Sequence, residues 1–247
     1  MADRYTQVYK YDMPLYAEGL PIVILAEDIV KDNTKNKLYS RVKMQSISED
    51  NISQVELTLV PKKESGEIAG TPVVRLYDTL GMSRGDVFGG DEVIELSSNS
   101  ACEIEVQINK IVFGTRTVEY GEKYVLEALP KQKALADDFG KEQVEAYKRE
   151  IGGSASYVPI ERCMDLWFCS CGEINRVNEE KCFVCGADRE KQIEIANTDF
   201  LSSKVAEKKA LAARMQKEIR EENRKAAIGV VLFFVLILIT ISVILRA

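Results

Sequence analysis

The 247-residue chain contains no histidine. That absence excludes every mechanism built on an imidazole base and every metal site with an imidazole ligand. A metal here has to be held by Cys, Asp, Glu or backbone oxygen. Excess positive charge is also missing. The formal net charge is -6, whereas a general nucleic-acid binder needs a basic surface to neutralise phosphate. The N-terminal stretch lacks an apolar run: Met1 to Pro14 is polar and rich in tyrosine, so no signal peptide is expected. The first strongly apolar segment, Ile22 to Leu25, is far too short to cross a bilayer. With 46% hydrophobic residues, a packed core is expected rather than disorder.

Charge is missing altogether from one long segment. Ala226 to Leu245 reads AAIGVVLFFVLILITISVIL, 20 residues fenced by Lys225 and Arg246. At ~1.5 Å per helical residue this length matches a bilayer's ~30 Å hydrocarbon core. It is expected to be a single transmembrane helix. The preceding stretch, Lys204 to Lys225, holds eight basic and four acidic residues. By the positive-inside rule the N-terminal bulk is expected in the cytoplasm, in a tail-anchored arrangement. The basic neck would lie near anionic headgroups, while residues 1–203 carry about -11. Residues 198–225 have no Gly or Pro and read as a helix capped by Thr198 or Asp199. Leu201, Val205, Lys208, Ala212, Met215, Ile219 and Glu222 alternate at spacings of four and three, a coiled-coil heptad with two polar members. A homodimer through this seam is one expectation, and a solvated stalk is the other.

There are six cysteines. Residues 166–186 read LWFCSCGEINRVNEEKCFVCG, which pairs Cys169 with Cys171 and Cys182 with Cys185, ten residues apart. Two tight cysteine turns joined by a hairpin can offer four thiolates to one tetrahedral zinc ion. Gly172 and Gly186 each follow the second cysteine of a pair, where glycine lets backbone amides turn toward the sulfurs. With four protein ligands the site is closed, so the zinc is expected to be structural. Disulfides are the alternative, disfavoured in a reducing cytosol; an iron–sulfur cluster or a redox dithiol is a third. Cys163, six residues before Cys169, could substitute as a ligand. Cys102 heads the alternation Cys102, Ile104, Val106, Ile108 and is expected in the core.

The pattern Trp167-x-Cys169, Cys171, Asn175, then Cys182-x-x-Cys185 resembles the Ran-binding-protein type of zinc finger over about 20 residues. The first pair departs from that family in being C-x-C. The same pattern with its two glycines is similar to zinc ribbons of bacterial membrane-anchored proteins of unknown function, in which the ribbon sits between an N-terminal β domain and a C-terminal anchor. The finger resemblance implies binding of single-stranded RNA, with a base stacked on Trp167 and contacts from Asn175 and Arg176, or binding of ubiquitin. Glu179-Glu180 in the intervening loop would repel phosphate, and Gly172-Glu173 stands where ubiquitin binders carry a Thr-Phe pair. Trp167 is therefore expected to be a hydrophobic lid, and Asn175 a turn residue bonding local backbone.

In the N-terminal region Ile22–Ile29 reads as an apolar strand, Leu38–Ile47 and Val55–Leu59 alternate with a period of two, and Val73–Leu80, Val93–Leu96, Ala101–Phe113 and Thr115–Tyr120 complete the set. Some seven strands between polar turns predict a mainly β fold, an immunoglobulin-like sandwich. Residues 80–91 hold Gly81, Gly85, Gly89 and Gly90 and read as a flexible turn between strands. No Gly-Lys-Ser/Thr follows, so it is no phosphate loop. A helix is expected over Asp137 to Glu150, with Phe139, Val144, Tyr147 and Ile151 as packing residues.

The expected order is a β-sandwich over 1–128, a helical linker over 129–160, a four-cysteine zinc ribbon over 161–190, a basic juxtamembrane helix over 198–225 and a membrane span over 226–245. No catalytic constellation emerges. The expected function is a non-enzymatic adaptor or scaffold, held to a lipid bilayer and binding a protein partner. A membrane-tethered regulator responding to redox state or zinc is the alternative.

Overall fold

The computed structural model describes residues 4–78, 80–121 and 124–244, with side chains as far as Gly229. The chain is mainly β, in several antiparallel sheets. The largest has seven strands. At its centre β3 (Ile22–Asp32) pairs with β4 (Lys37–Ser46) in a long hairpin; β1 (Tyr5–Tyr11) and β2 (Leu15–Tyr16) join β3, β7 (Val87–Phe88) and β8 (Ile94–Glu95) join β4, and β11 (Glu127–Ala128) joins β2. The second sheet runs β10 (Arg116–Glu119), β9 (Glu103–Phe113), β5 (Gln54–Lys62), β6 (Val73–Tyr77).

Both sheets face one core. Val42 and Met44 come from β4, Leu57 and Leu59 from β5, and Ile104, Val106 and Ile108 from β9, all buried at alternate positions. Period-two placement sends one face of each strand inward, which is why these segments were legible. Cys102 departs from the expectation. It is exposed, because β9 begins after it and the neighbouring Ala101 takes the buried place. The edge strand β1 had no sequence signal, since its face is mostly exposed and needs no apolar stripe.

The glycine-rich segment 80–91 is not a loose turn. Met82 bridges Ile52, and Gly85 and Asp86 exchange backbone hydrogen bonds with Ser46 at 2.8 and 3.0 Å. Gly89 has φ +81°, and a Cβ there would stand 2.4 Å from the Val42 carbonyl oxygen. Glycine at this position allows close approach to β4 rather than freedom.

A third sheet holds β12 (Ile160–Cys163), β13 (Leu166–Phe168) and β14 (Ile174–Arg176). Leu166, Phe168 and Ile174 enter the sandwich core, while Trp167 belongs to a separate cluster with the cysteines. The ribbon and the sandwich therefore share packing.

The helix expected over 137–150 is divided into α1 (Leu135–Asp138) and α2 (Lys141–Ile151), with Phe139 extended between them. Gly140 caps α2, its amide donating to Gln143 Oε1 at 2.9 Å. With α3 (Arg189–Ile195) and the start of α4 (Thr198–Ile244), these helices enclose a second core that includes Leu135, Phe139, Tyr147, Ile195 and Leu201. Neither Thr198 nor Asp199 caps α4. Asn197 Oδ1 accepts from the Asp199 and Phe200 amides at 2.8 and 3.3 Å, because the helix starts one residue earlier than composition suggests. Among the described residues no helix is long and apolar enough to cross a membrane. The span expected over 226–245 lies almost wholly outside the residues whose side chains are described.

Candidate metal centre

The structure brings Cys169, Cys171, Cys182 and Cys185 together, with all four sulfurs within 4.8 Å of one another. Cys169 Sγ lies 3.5 Å from Cys185 Sγ, and Cys171 Sγ lies 3.7 Å from Cys182 Sγ. A tetrahedral ion with bonds of ~2.3 Å requires sulfurs about 3.8 Å apart, so the spacing fits one such ion at the centre. No disulfide joins the six cysteines, and the paired sulfurs lie well beyond a disulfide's ~2.05 Å bond. Cys163 is not in the group. It sits on β12 against the sandwich core, where burial raises its thiol pKa.

Two turns of different size deliver the sulfurs. In the second pair the Gly186 amide donates to the Cys182 carbonyl at 2.8 Å, and the Cys182 amide donates to Ala187. In the first pair the Gly172 amide donates to the Cys169 carbonyl at 2.9 Å, and the Cys169 amide donates to Glu173. Each ring is one residue tighter in the C-x-C turn than in the C-x-x-C turn, yet both end on a glycine of positive φ, +98° at Gly172 and +72° at Gly186. The C-x-C departure is thus absorbed by the backbone. Amides of Val184 and Cys185 donate to the Cys182 sulfur, the Cys171 amide to that of Cys169, and the Glu173 amide to that of Cys171. Such donors spread thiolate charge.

A hydrogen bond from Cys169, backed by the amides, holds the Cys182 thiol well below its ordinary range. The same contact, with burial, pushes Cys169 up, and burial pushes Cys171 up. Four thiolates this close repel one another, and a cation at their centre would let all four ionise.

A surrounding layer fixes the turns. Trp167 is fully buried against Cys169, Cys182 and Ala187. It is the lid expected from the sequence, and it offers no free face for a nucleic-acid base. Asn175 does more than bond its own turn. Its amide nitrogen donates to the Glu173 carbonyl at 3.2 Å, and its Oδ1 accepts from the Phe183 amide at 3.1 Å. It therefore ties the two cysteine turns together. Gln192 of α3 is fully buried; its Oε1 accepts from the Ser170 amide at 2.8 Å, and its carbonyl accepts from the Tyr147 hydroxyl. Gln132 Nε2 donates to the Cys169 carbonyl at 3.0 Å. Sequence reasoning missed both glutamines: Gln192 sits in a polar helix and Gln132 in an irregular segment before α1, and neither setting carries a sign of the contact.

Two arginines clamp the ribbon to the sandwich. Arg176 reaches Asp165, the Tyr16 hydroxyl and the Leu20 carbonyl, and Tyr16 donates to Asp165 at 2.8 Å. Arg84, from the glycine-rich segment, makes a two-pronged pair with Glu179 and stacks 4.0 Å from the centre of the Phe183 ring. Burial favours the protonated Glu179 carboxyl, but Arg84 and the Arg176 amide outweigh it and leave its pKa below the usual range. Glu179, read from sequence as a barrier to phosphate, is thus an internal ion-pair partner. No protein-family model, curated protein or solved structure matches this chain.

Proposed function

We propose that this protein is a membrane-anchored adaptor whose four cysteines hold one structural zinc ion and whose β-sandwich and ribbon together bind a protein partner. The observation that carries the reading is the closed four-sulfur cage, whose donors are all supplied by the chain and whose outer turn exposes Phe183 and Val184 (38% and 60%). Zinc suits an all-sulfur tetrahedral set, and a site with four protein ligands keeps no position open for water. Apolar side chains held on a rigid metal turn are good contact points for another protein.

Support for an immunoglobulin-like sandwich comes from the connectivity. The β3–β4 hairpin crosses to β5–β6, the chain returns to pair β8 with β4, and β9 then inserts beside β5. Support for the anchor comes from the 20 uncharged residues between Lys225 and Arg246, in a helix whose backbone runs on to Ile244. The basic neck favours a cytoplasmic head. Met215 and Ile219 are each 55% exposed on α4, which favours a weak dimer seam below the segment packed on α2.

The test is affinity capture with the full chain in neutral detergent, combined with metal analysis. One zinc per chain and a single stoichiometric protein partner, lost when Phe183 and Val184 are both changed to Ser, are expected. Iron in place of zinc, or turnover of a small molecule with no partner, would overturn the reading.

A further inference from the structure

A second site lies away from the cysteines. A cavity of about 560 Å³ opens between β1, β9 and the segment 124–126, within the usual size range of small-molecule pockets. Tyr9, Tyr11 and Tyr124 line it, together with Leu15 and Leu126. Glu27 lines it as well, although it is only 4% exposed. One of its oxygens accepts from the Tyr9 hydroxyl at 3.3 Å, a long contact, and the other has no hydrogen-bond partner. A buried carboxylate left half unsatisfied is costly, and a leucine on this core-facing strand position would avoid that cost.

We propose that this cavity binds an alkylammonium group, with Glu27 as the counter-charge, the three tyrosines as aromatic walls and the leucines as contacts for the alkyl chain. The charges around the cavity agree. Lys62 is paired with Glu105, which leaves Glu27 and Glu103 without a basic partner among the lining residues. An anion would be repelled, and a cation gains both the carboxylate and the ring faces. A metal ion fits less well, because no group of three or more metal-ligating side chains among the described residues includes Glu27. The ammonium can belong to a free amine or to a lysine of a bound protein, and both present the same chemistry.

Calorimetric titration of the full chain in neutral detergent tests this, with n-butylammonium as probe and n-butanol as its uncharged counterpart. Saturable binding of one n-butylammonium per chain is expected, with n-butanol failing to compete. Glu27→Gln should weaken binding by at least about tenfold, and Tyr11→Leu, which leaves the carboxylate in place, should weaken it by a few-fold. A lysine-containing peptide that binds more tightly than n-butylammonium identifies a protein as the source; the reverse identifies a free amine. Undiminished binding by folded Glu27→Gln, or no binding at about 10 mM probe by a chain with intact circular dichroism, would overturn the proposal.

Discussion

Glu27 shows how one buried side chain can set the pH response of a sandwich. Burial pushes its carboxyl up from 4.5 to about 7; the Tyr9 hydroxyl on β1 opposes the shift and Glu103 on β9 adds to it. Between those values the folded state keeps a proton that the unfolded chain has lost. The native state binds more protons there, so this group's contribution to stability falls as pH rises toward about 7 and is flat above it. The loss is on the order of 3 kcal/mol. Glu27→Gln should therefore be more stable than the parent at pH 8 and close to it at pH 4, as read by urea denaturation across that range. A parent curve without that decline would show that the carboxylate finds a partner on ionising. Trp167 and Asn175 belong to the same scale. The sequence marked them as lid and turn residue, and the structure agrees for the first but gives the second a longer reach, because only folding brings Phe183 beside it.

At the scale of elements, strands were legible wherever one face is buried and the other wet, since that asymmetry writes alternation into the sequence. The exposed edge strand β1 left no such mark. Neither did the two-residue strands β2, β7 and β11, which are too short to show a period. Glycine was misread for a related reason. Its presence in residues 80–91 is compatible with freedom or with tight approach, and only the position of Val42 decides between them. Gly89→Ala would place a Cβ 2.4 Å from that carbonyl at φ +81°. It should cost about 2 kcal/mol or more, lowering the thermal midpoint by several degrees. A similar midpoint for parent and variant would mean that the segment is as loose as its composition suggests. On α4 the heptad seam is likewise divided by context. Leu201 and Val205 pack in the core shared with α2, whereas Met215 and Ile219 stay exposed.

At the scale of the whole molecule, the four-cysteine cluster and the sandwich core are coupled through β13. Its alternation puts Trp167 toward the cysteines and Leu166 and Phe168 into the sandwich core. If the proposed metal is bound there, its removal should therefore do more than unravel the two cysteine turns. Chelation is expected to lower the unfolding midpoint of the β-sandwich and to raise hydrogen exchange in β14 and β3. The Arg84–Glu179 clamp transmits part of this effect, so Glu179→Ala should reproduce a fraction of the shift with the metal still bound. An unchanged sandwich midpoint after complete metal loss would show that the ribbon is an independent appendage.

The sequence by itself determined the chemistry that depends on residue type and short spacing. Four sulfurs on two tight turns ended by glycine, a mainly β fold, the absence of any imidazole chemistry and an uncharged C-terminal segment were all legible in it. These follow from side-chain identity and from periods of a few residues, which need no knowledge of distant contacts. Only the tertiary structure decided which surfaces meet: that the ribbon seats in the sandwich core, that the glycine-rich segment delivers Arg84 to Glu179, that Gln192 is buried behind a cysteine turn, and that Glu27 lies beside a tyrosine-lined cavity. Each of these joins residues far apart in the chain, and their pairing is set by packing and charge in three dimensions, which local pattern does not encode.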